Sequence, residues 1–503
     1  MRHPRSSYPP AALAGAALLA ALAVACSGGK PTPQATVAAT PTPTPVTCPA
    51  SASWVTSPSQ PDFSVDPSDH CGFYQYAWQS FLYLTSPSGG PGSPANFETW
   101  ETIDEVFPST STTLKASTTG KTFSLLDKRF KSARKRVLRQ RINKHDFSLD
   151  ATSSQIGGED QQAGSKGILV DQAGNITYYE QFFDPTAVNF FDACTLTTKA
   201  CWTAPGASGL RFPNGSIELK VSWRPLWKTT PNVETFYTIP GSPVQNAAGQ
   251  TVTPDFFGLV GFHLVYSIPN HPELVWATFE HVANSPDGPC TNGQNTCGQL
   301  PAGFTGWSYN NCKSTSCTGI NTWPSPVPSP IPNAQVFLNY PQGNIASITD
   351  AAGVSGATNI ALLNALNSSM LSVLPAGSVW RNYTQLGAIW TFNGSTGGAL
   401  PAVSVFSSTG TQNTNANVVG STFLANATME TFTQFPNPIP SPYPSPAPVQ
   451  SCFTCHNTGS STTPSFNVSH AAQAAAAGNC SWSTTPPAAC TATQTASTAA
   501  AKK

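Results

Sequence analysis

Charged residues and long apolar runs are both scarce in this sequence. Only 10% of the 503 residues are charged, and the 24 basic side chains equal the 24 acidic ones in number. The one extended apolar run, residues 11–25, is too short to span a membrane, which excludes a membrane-spanning helix there. An uncharged chain rich in Ser, Thr and Pro, with an ordinary apolar content of 39%, is typical of an exported globular protein.

The N-terminal run has the pattern of a signal peptide. Arg2 and Arg5 precede it, and it ends in the sequence LAVAC at Cys26. These residues resemble the lipobox of bacterial lipoproteins, in which the cysteine is acylated and becomes the new N-terminus, although Ala23 stands where leucine is usual. We therefore expect a lipid on Cys26. Cleavage nearby, with Cys26 free or paired, is the alternative.

A segment of Pro, Thr, Ala and Val follows the signal peptide, over residues 30–46. It cannot bury a core and favours an extended conformation, so we interpret residues 26–47 as an acylated cysteine and its tether. Ser27, rather than Asp, follows the cysteine, which resembles lipoproteins delivered to the outer membrane. The expected location is the cell envelope, lipid-anchored at the outer membrane and facing the periplasm, where nucleic acid is not a partner.

Near the other end of the chain stands the motif Cys-Phe-Thr-Cys-His, residues 452–456. Two thiols held two residues apart and followed at once by an imidazole are what covalent haem attachment requires. Cys452 and Cys455 would add to the haem vinyl groups, and His456 would be the proximal iron ligand. The sequence therefore predicts one covalently bound haem c.

Three other interpretations of this motif were weighed. A thioredoxin-like redox pair would need a βαβ context, and a zinc half-site would need a second ligand pair of similar spacing. Neither context is present in the sequence. A disulfide between Cys452 and Cys455, with no cofactor, is the third alternative.

The remaining cysteines predict disulfides, as expected in an exported protein. Cys26 and the two motif cysteines leave ten of the thirteen. Short separations favour the local pairs Cys48 with Cys71, Cys194 with Cys201 and Cys480 with Cys490. Two more bridges are expected, in a pairing that the sequence leaves open, among Cys290, Cys297, Cys312 and Cys317.

Hydrophobic periodicity predicts a mixed but strand-rich body. Helices are expected over residues 73–82 and 358–373, and a hairpin is expected around the turn at 172–175. Further strands are predicted at residues 216–223, 234–239, 258–268, 274–282, 335–340 and 378–392.

These patterns predict an α+β, β-rich fold. We expect an antiparallel sheet or sandwich-like body with a few packed helices and a C-terminal haem-binding segment. The expected divisions are a signal peptide at 1–25, the tether at 26–47, the body at 48–434, a Pro-rich linker at 435–450, the haem segment at 451–470 and a low-complexity tail at 471–503.

Several segments carry a resemblance to a known family. They include FGLVGFHLV at 257–265 and WATFEHVAN at 276–284, with further pieces at 76–82, 217–224 and 424–431. On these segments, which span most of residues 70–470, the chain resembles a group of exported bacterial cytochrome c family proteins. The resemblance implies one haem c on a large body, and it supplies neither a substrate nor a reaction. It does not extend to residues 128–144 or 287–317.

Methionine is scarce, with three residues in all and none after Cys455. In small cytochromes a methionine later in the domain commonly supplies the sixth iron ligand, so that arrangement is excluded here. The sequence also lacks a helical run before the motif, because residues 435–449 are broken by proline. We therefore expect the haem to dock on the β-rich body. The candidates for the distal ligand are Met429, His263, His281 and His470.

Two of these histidines lie on consecutive predicted strands. If Tyr266 faces Leu274, His263 and His281 share one face of the sheet, ~13 Å apart along the strands, and cannot both reach one iron. Each could instead be an ordinary buried histidine. Glu280 lies beside His281, and it could belong to a buried ion-pair network with Glu218 and Arg224, which the neighbouring predicted strand carries.

The zero net charge hides a basic segment at residues 128–144, which contains no acidic residue. Its apolar residues recur at helical spacing, which predicts an amphipathic helix with a basic outer face. The helix could be a solvated surface, or it could dock an acidic redox partner or anionic lipid headgroups. The basic residues are Lys128, Arg129, Lys131, Arg134, Lys135, Arg136, Arg139, Arg141 and Lys144.

Three functions are compatible with these features. The first is electron transfer by a lipid-anchored cytochrome with a saturated iron. The second is a haem-dependent oxidoreductase with an open iron position, lined by His281 and Glu280 or by His263 as acid or base groups. The third is a binding or structural surface protein in which haem is peripheral or absent. The motif supports the first two, and we favour the first.

Overall fold

One eight-stranded antiparallel sheet organises the protein. It is seen in a computed structural model, in which the described residues belong to a unit that extends from residue 46 to residue 503. The signal peptide, Cys26 and most of the tether lie outside the described part. The described residues are 46–89, 92–107, 163, 167–202, 204–288, 299–312, 319–391, 418–434, 452–456, 469, 471, 479–482 and 484–492.

The strands pair mainly with neighbours along the chain. The order in the sheet is β1-β2-β3-β7-β8-β9-β10, with β4 beside the start of β7, while β5 and β6 form a separate two-stranded sheet. The strands are β1 (Glu101–Thr102), β2 (Tyr178–Phe183), β3 (Ile217–Leu226), β4 (Thr238–Pro240), β5 (Val244–Gln245), β6 (Thr251–Val252), β7 (Phe256–Ile268), β8 (His271–His281), β9 (Tyr383–Thr391) and β10 (Val418–Gly420).

Two of the helices in the described part are long, and the others are short. They are α1 (Ser53–Thr56), α2 (His70–Thr85), α3 (Ile103–Val106), α4 (Pro185–Ala193), α5 (Lys199–Trp202), α6 (Gly356–Val373) and α7 (Cys452–Cys455). Single turns of 3-10 helix occur at Asn96–Thr99, Pro205–Gly209, Val233–Thr235, Pro341–Gly343 and Val379–Asn382.

The two long helices begin at residues that satisfy their free backbone N–H groups. Asp69 caps α2 by accepting from the Gly72 N–H (2.8 Å), and Ser355 caps α6 by accepting from the Thr358 N–H (3.2 Å). Both helices pack on the same face of the sheet, where Phe81 of α2 stacks on Phe279 of β8 with ring centroids 4.4 Å apart. The predictions of these helices and of an α+β, β-rich fold on an antiparallel sheet are confirmed.

Successive residues of the central strands point to opposite faces of the sheet. One face, here called the helix face, carries Leu219, Val221, Phe262, Leu264 and Phe279 against α2 and α6. The opposite face, here called the polar face, carries Lys220 on β3, His263 on β7 and Thr278 on β8, which are consecutive partners in the sheet register. Both faces are buried, so the polar face must be covered as well.

The strands predicted at 216–223, 258–268 and 274–282 are confirmed as β3, β7 and β8, the longest strands of the sheet. Residues 378–392 begin as a 3-10 helix before they become β9, and residues 234–239 contain a 3-10 turn before β4. The strand expected at 335–340 is wrong, because that segment makes only isolated bridges. The 172–175 turn forms, with Val170 paired to Ile176.

Two of the three predicted local disulfides are wrong. Cys48 pairs with Cys71 as expected, but Cys194 pairs with Cys490 and Cys201 pairs with Cys480. The reason is tertiary: the C-terminal tail folds back onto α4 and α5. Trp482, which lies between the two tail cysteines, donates its indole N–H to the Cys194 carbonyl (3.0 Å).

Several predicted features lie outside the described residues. They include the basic helix at 128–144, the linker at 435–450 and most of the cysteine-rich loop. Within that loop Cys312 is disulfide-bonded, which agrees with a bridge there without identifying its pairing. In the part of the chain that is described, no helix has both the length and the hydropathy needed to cross a membrane.

Candidate functional site

The predicted haem motif forms one turn of helix, α7. The His456 N–H donates to the Cys452 carbonyl (2.9 Å), which closes the turn. In such a turn positions i, i+3 and i+4 lie on the same side, so positions 452, 455 and 456 share a side, and position 453 is a neighbour of 456 by the same spacing. A haem that is bound by two thioethers and one imidazole needs this arrangement, so the residues present fit the cofactor that the sequence implies.

The turn packs on Trp276, a residue of β8 at one end of the polar face. The Phe453 side chain is fully buried, and its ring lies edge-on to the Trp276 ring, with centroids 6.5 Å apart. The His456 ring lies closer, at 4.5 Å from the Trp276 ring and tilted by 36°. One buried tryptophan therefore contacts both the apolar anchor of the turn and the predicted iron ligand.

A second segment, residues 424–431, covers the middle of the polar face and is here called the covering segment. The Asn426 side-chain amide donates to the Thr278 hydroxyl (2.9 Å) and to the Phe279 carbonyl (3.0 Å). The Thr428 and Ser222 hydroxyls are 2.7 Å apart. The polar side chains of the sheet are thus buried against hydrogen-bonding partners, as burial of polar groups requires.

Two carboxyl groups belong to this contact. The Ala427 N–H donates to Glu280 Oε2 (2.9 Å), and Glu430 Oε1 lies 3.0 Å from His263 Nε2. Glu280 is only 5% exposed, whereas the Glu430 side chain is 30% exposed. The covering segment therefore places one carboxyl in the interior and one near solvent.

The two carboxyl groups have opposite pKa shifts. Burial raises the pKa of Glu280 to about 8, and the charges of Asp287 and Glu430 add to this effect. Burial alone would raise the pKa of Glu430 too. The charge of His263, its hydrogen bond and the charge of Lys220 outweigh burial, so the pKa of Glu430 lies below its ordinary value. Near neutral pH, Glu280 is largely protonated and Glu430 is ionised.

The expectation that His263 and His281 share one face is wrong. Tyr266 pairs with Val275 rather than Leu274, which shifts the register by one residue and exchanges the faces. The cause is a bulge after Tyr266, where Leu274 adopts a left-handed conformation with φ of 68°. His263 therefore lies on the polar face with Glu280, whereas His281 lies on the helix face.

His281 is fully buried and engaged through both ring nitrogens. Its ring stacks on Phe236 with centroids 3.9 Å apart, Nδ1 accepts from the Ala283 N–H (3.3 Å), and Nε2 lies 3.2 Å from the Thr235 hydroxyl. Burial lowers the pKa of His281 to about 3, so the ring is neutral. A site lined jointly by His281 and Glu280 does not form, because the two side chains point to opposite faces.

Of the other two candidate ligands, only Met429 lies in the described part of the chain, in the covering segment. Met429 is 1% exposed and stands between Thr428 and Glu430. His470 is outside the described residues. Of its neighbours, Ser469 donates its hydroxyl to Glu218 Oε2 (2.7 Å), and the Ala471 N–H donates back to Ser469 Oγ (3.0 Å).

The ion-pair network expected among Glu280, Glu218 and Arg224 is not what forms. Arg224 Nε donates to Asp171 Oδ2 (2.7 Å) and holds the 172–175 turn against β3. Glu280 instead accepts from the covering segment, as described above. No role was predicted from the sequence for Trp276, Asn426 or Glu430. The alternation of Trp276, Thr278 and Glu280 along β8 was the available signal, since period two places them on one face.

The chain was compared with known proteins in three ways. No protein-family model matches it. No curated protein and no solved structure is similar to it either.

Proposed function

We propose that the protein is an exported, lipid-anchored c-type cytochrome that transfers electrons in the cell envelope. One haem would be held by thioether bonds to Cys452 and Cys455, with His456 as its proximal ligand. When bound, the haem supplies a one-electron oxidation and reduction centre. The observation that carries the proposal is the helical turn at residues 452–456, which combines this residue set with a buried docking contact on Trp276.

The described residues have separate roles in this proposal. Phe453 anchors the turn in a buried apolar cluster that also contains Trp276, Ala471 and Trp482. The two long-range disulfides attach the chain after the haem segment to α4 and α5. The chain is therefore attached to the body within the motif, through Phe453, and again after it, through two cysteines.

Staining a denaturing gel for haem peroxidase activity tests the covalent attachment. After expression with haem-attachment machinery, the wild type should give one coloured band. A Cys452→Ala, Cys455→Ala double variant should give none. Cys48→Ala, Cys71→Ala is a matched control, since it also removes two cysteines but leaves the motif intact. A colourless wild type would refute the proposal.

The absorption spectrum then separates a carrier from an enzyme. A carrier with six iron ligands should show sharp reduced α and β bands and little response to carbon monoxide. Replacement of the distal ligand by alanine, among Met429, His263, His281 and His470, should convert the iron to high spin for one residue alone. Wild-type protein that is already high spin and binds carbon monoxide readily would count against electron transfer as the function.

A haem-dependent oxidoreductase is the second candidate. The observation that favours it is a set of titratable groups, Glu280 and the His263–Glu430 pair, buried on the same face as Trp276. A carboxyl group with a pKa of about 8 can donate a proton near neutral pH. Carbon monoxide uptake by the wild type, together with turnover that is lost in Glu280→Gln, would favour this alternative.

The proposed location and partner need their own tests. Metabolic labelling with a palmitate analogue should mark the wild type and not Cys26→Ala, which should appear in the soluble periplasmic fraction. An acidic redox partner docked on residues 128–144 should bind less tightly at high salt, because exposed charges are screened. Salt-independent binding would indicate a different docking surface.

A further inference from the structure

Trp276 is fixed more firmly than the turn that packs on it. It lies in the interior of the sheet, paired with Val265 of β7 on one side and Ile389 of β9 on the other. Only 2% of its surface is exposed, and its indole N–H points to the Glu273 carbonyl at 3.4 Å. The indole can therefore act as a rigid support.

The His456 ring is the less buried partner in this contact. An imidazole on a single turn can rotate about its side-chain bonds, and α7 contains only four residues. A tilt of 36° and a centroid separation of 4.5 Å leave the imidazole against the indole, which restricts that rotation. Phe453 contacts the same indole and prevents the turn from lifting as a whole.

The contact also has an electrostatic consequence. The face of an indole ring is electron-rich and attracts positive charge, more strongly than phenylalanine does. An imidazole that gives electron density to a metal becomes more positive, and it is most positive when the metal is oxidised. An indole beside the ligand therefore favours the oxidised state over the reduced one.

We propose that Trp276 is the positioning residue for the axial imidazole of His456, fixing its ring orientation and lowering the reduction potential of the bound haem. This inference rests on the proposed function, because it concerns the haem-loaded protein. It assigns to one residue of the sheet a role that the motif alone does not contain.

The test compares Trp276→Leu and Trp276→Phe with Trp390→Leu in the haem-loaded full chain. Trp390 is a matched control, because it is a buried tryptophan of the same sheet, 4% exposed, that packs on Phe73 across the helix face. Midpoint reduction potentials are measured by spectroscopic titration. The shifted proton resonances of the axial histidine in the oxidised protein report the ring orientation.

The expected result is a higher potential for Trp276→Leu, with about a threefold change in the ratio of oxidised to reduced protein at the wild-type midpoint. That ratio corresponds to about 30 mV for a one-electron couple. Trp276→Phe should shift the potential less. Trp390→Leu should lower the melting temperature without shifting the potential. The resonances of the axial histidine should move in both Trp276 variants and should stay in place in Trp390→Leu.

Two results would overturn the inference while haem attachment stands: an unchanged potential and unchanged resonances in Trp276→Leu, or equal shifts in Trp390→Leu. If Trp276→Leu fails to fold, Trp276→Phe decides alone through the histidine resonances, since it keeps an aromatic ring in place. A wild type without covalent haem would refute the proposed function and this inference together. That outcome is distinguished by the absence of colour before any variant is made.

Discussion

The two faces of the central sheet are buried by different kinds of contact. On the helix face, Phe279 lies between Phe81, Trp78 and Phe262, so that ring packing dominates. On the polar face, the neighbouring Thr278 is buried under hydrogen bonds from the covering segment. Adjacent residues of one strand thus lie in differently packed contacts on the two faces of the sheet. The polar face adjoins the predicted haem motif.

Glu280 and His281 show the same contrast in their ionisation. Both are buried, and burial disfavours the charged form of each, so it raises the pKa of the acid and lowers the pKa of the base. The consequence is a carboxyl group and an imidazole that are both neutral near pH 7, one on each face. Such neighbours make opposite contributions to the pH dependence of stability.

The largest effect is expected from the covalent attachment of the tail beside the polar face. Removing both bridges, Cys194–Cys490 and Cys201–Cys480, should lower the free energy of unfolding by about 8 kcal/mol, because the second removal opens a loop of more than 270 residues, at about 5 kcal/mol, after the first has cost about 3 kcal/mol. Removing one should cost about 3 kcal/mol or less, since the other still closes nearly the same loop. Denaturant unfolding under oxidising conditions measures both. Additive losses would contradict the paired arrangement.

A comparison of neighbouring residues tests the two faces directly. Phe279→Ala should lower the free energy of unfolding by about 3–5 kcal/mol, because it leaves a cavity among packed rings. Thr278→Val should cost about 1–2 kcal/mol, because Asn426 loses one of its two acceptors there. Leu371→Ala, at a side chain that is 43% exposed, is the control and should cost little. Equal losses at 278 and 279 would remove the distinction between the faces.

The pKa of Glu280 predicts a loss of stability as the pH rises from about 4.5 to about 8. The folded pKa of about 8 lies above the ordinary value of 4.5, so the unfolded state loses its proton first. The contribution of Glu280 to the free energy of unfolding is complete below pH 4.5. It then falls by up to about 1.4 kcal/mol per pH unit until pH 8. Glu280→Gln should remove this slope in urea unfolding between pH 6.5 and 8. An unchanged slope would mean that Glu280 is ionised in the folded protein.

His281 predicts an effect of the opposite sign at lower pH. Its folded pKa of about 3 lies below the ordinary value of 6.5. The contribution of His281 to stability is therefore complete above pH 6.5 and falls as the pH is lowered toward 3. Between pH 4.5 and 6.5 the two residues oppose each other, and their slopes should nearly cancel in the wild type. In that interval the stability of His281→Gln should fall with rising pH, and that of Glu280→Gln should rise. Parallel curves for the two variants would contradict the assignment.

The sequence predicted the elements whose signal is local. Strands β3, β7 and β8 are long segments rich in apolar and aromatic residues, and α2 and α6 show helical periodicity, so their positions were confirmed within a few residues. The predicted strand at 335–340 failed, because a short apolar run between polar residues also suits an extended loop that makes only isolated bridges.

The disulfide pairing and the register could not be read from the chain. Both tail cysteines are near each other in sequence, yet each bonds to the helix region almost 300 residues earlier, because the tail returns to α4 and α5. The register depended on how many residues the β7–β8 bulge absorbs, and one residue of difference moved His263 and His281 to opposite faces.

The sequence by itself determined the strand-rich class, the long elements and the five-residue motif on which the haem prediction rests, because each is encoded in consecutive residues. Only the tertiary structure decided what surrounds that motif. It placed Trp276 beside His456 and Glu430 within hydrogen-bonding distance of His263, and it separated His281 from Glu280. These contacts join segments far apart in the chain, and they depend on strand register and on the return of the tail, neither of which leaves a local pattern in the sequence.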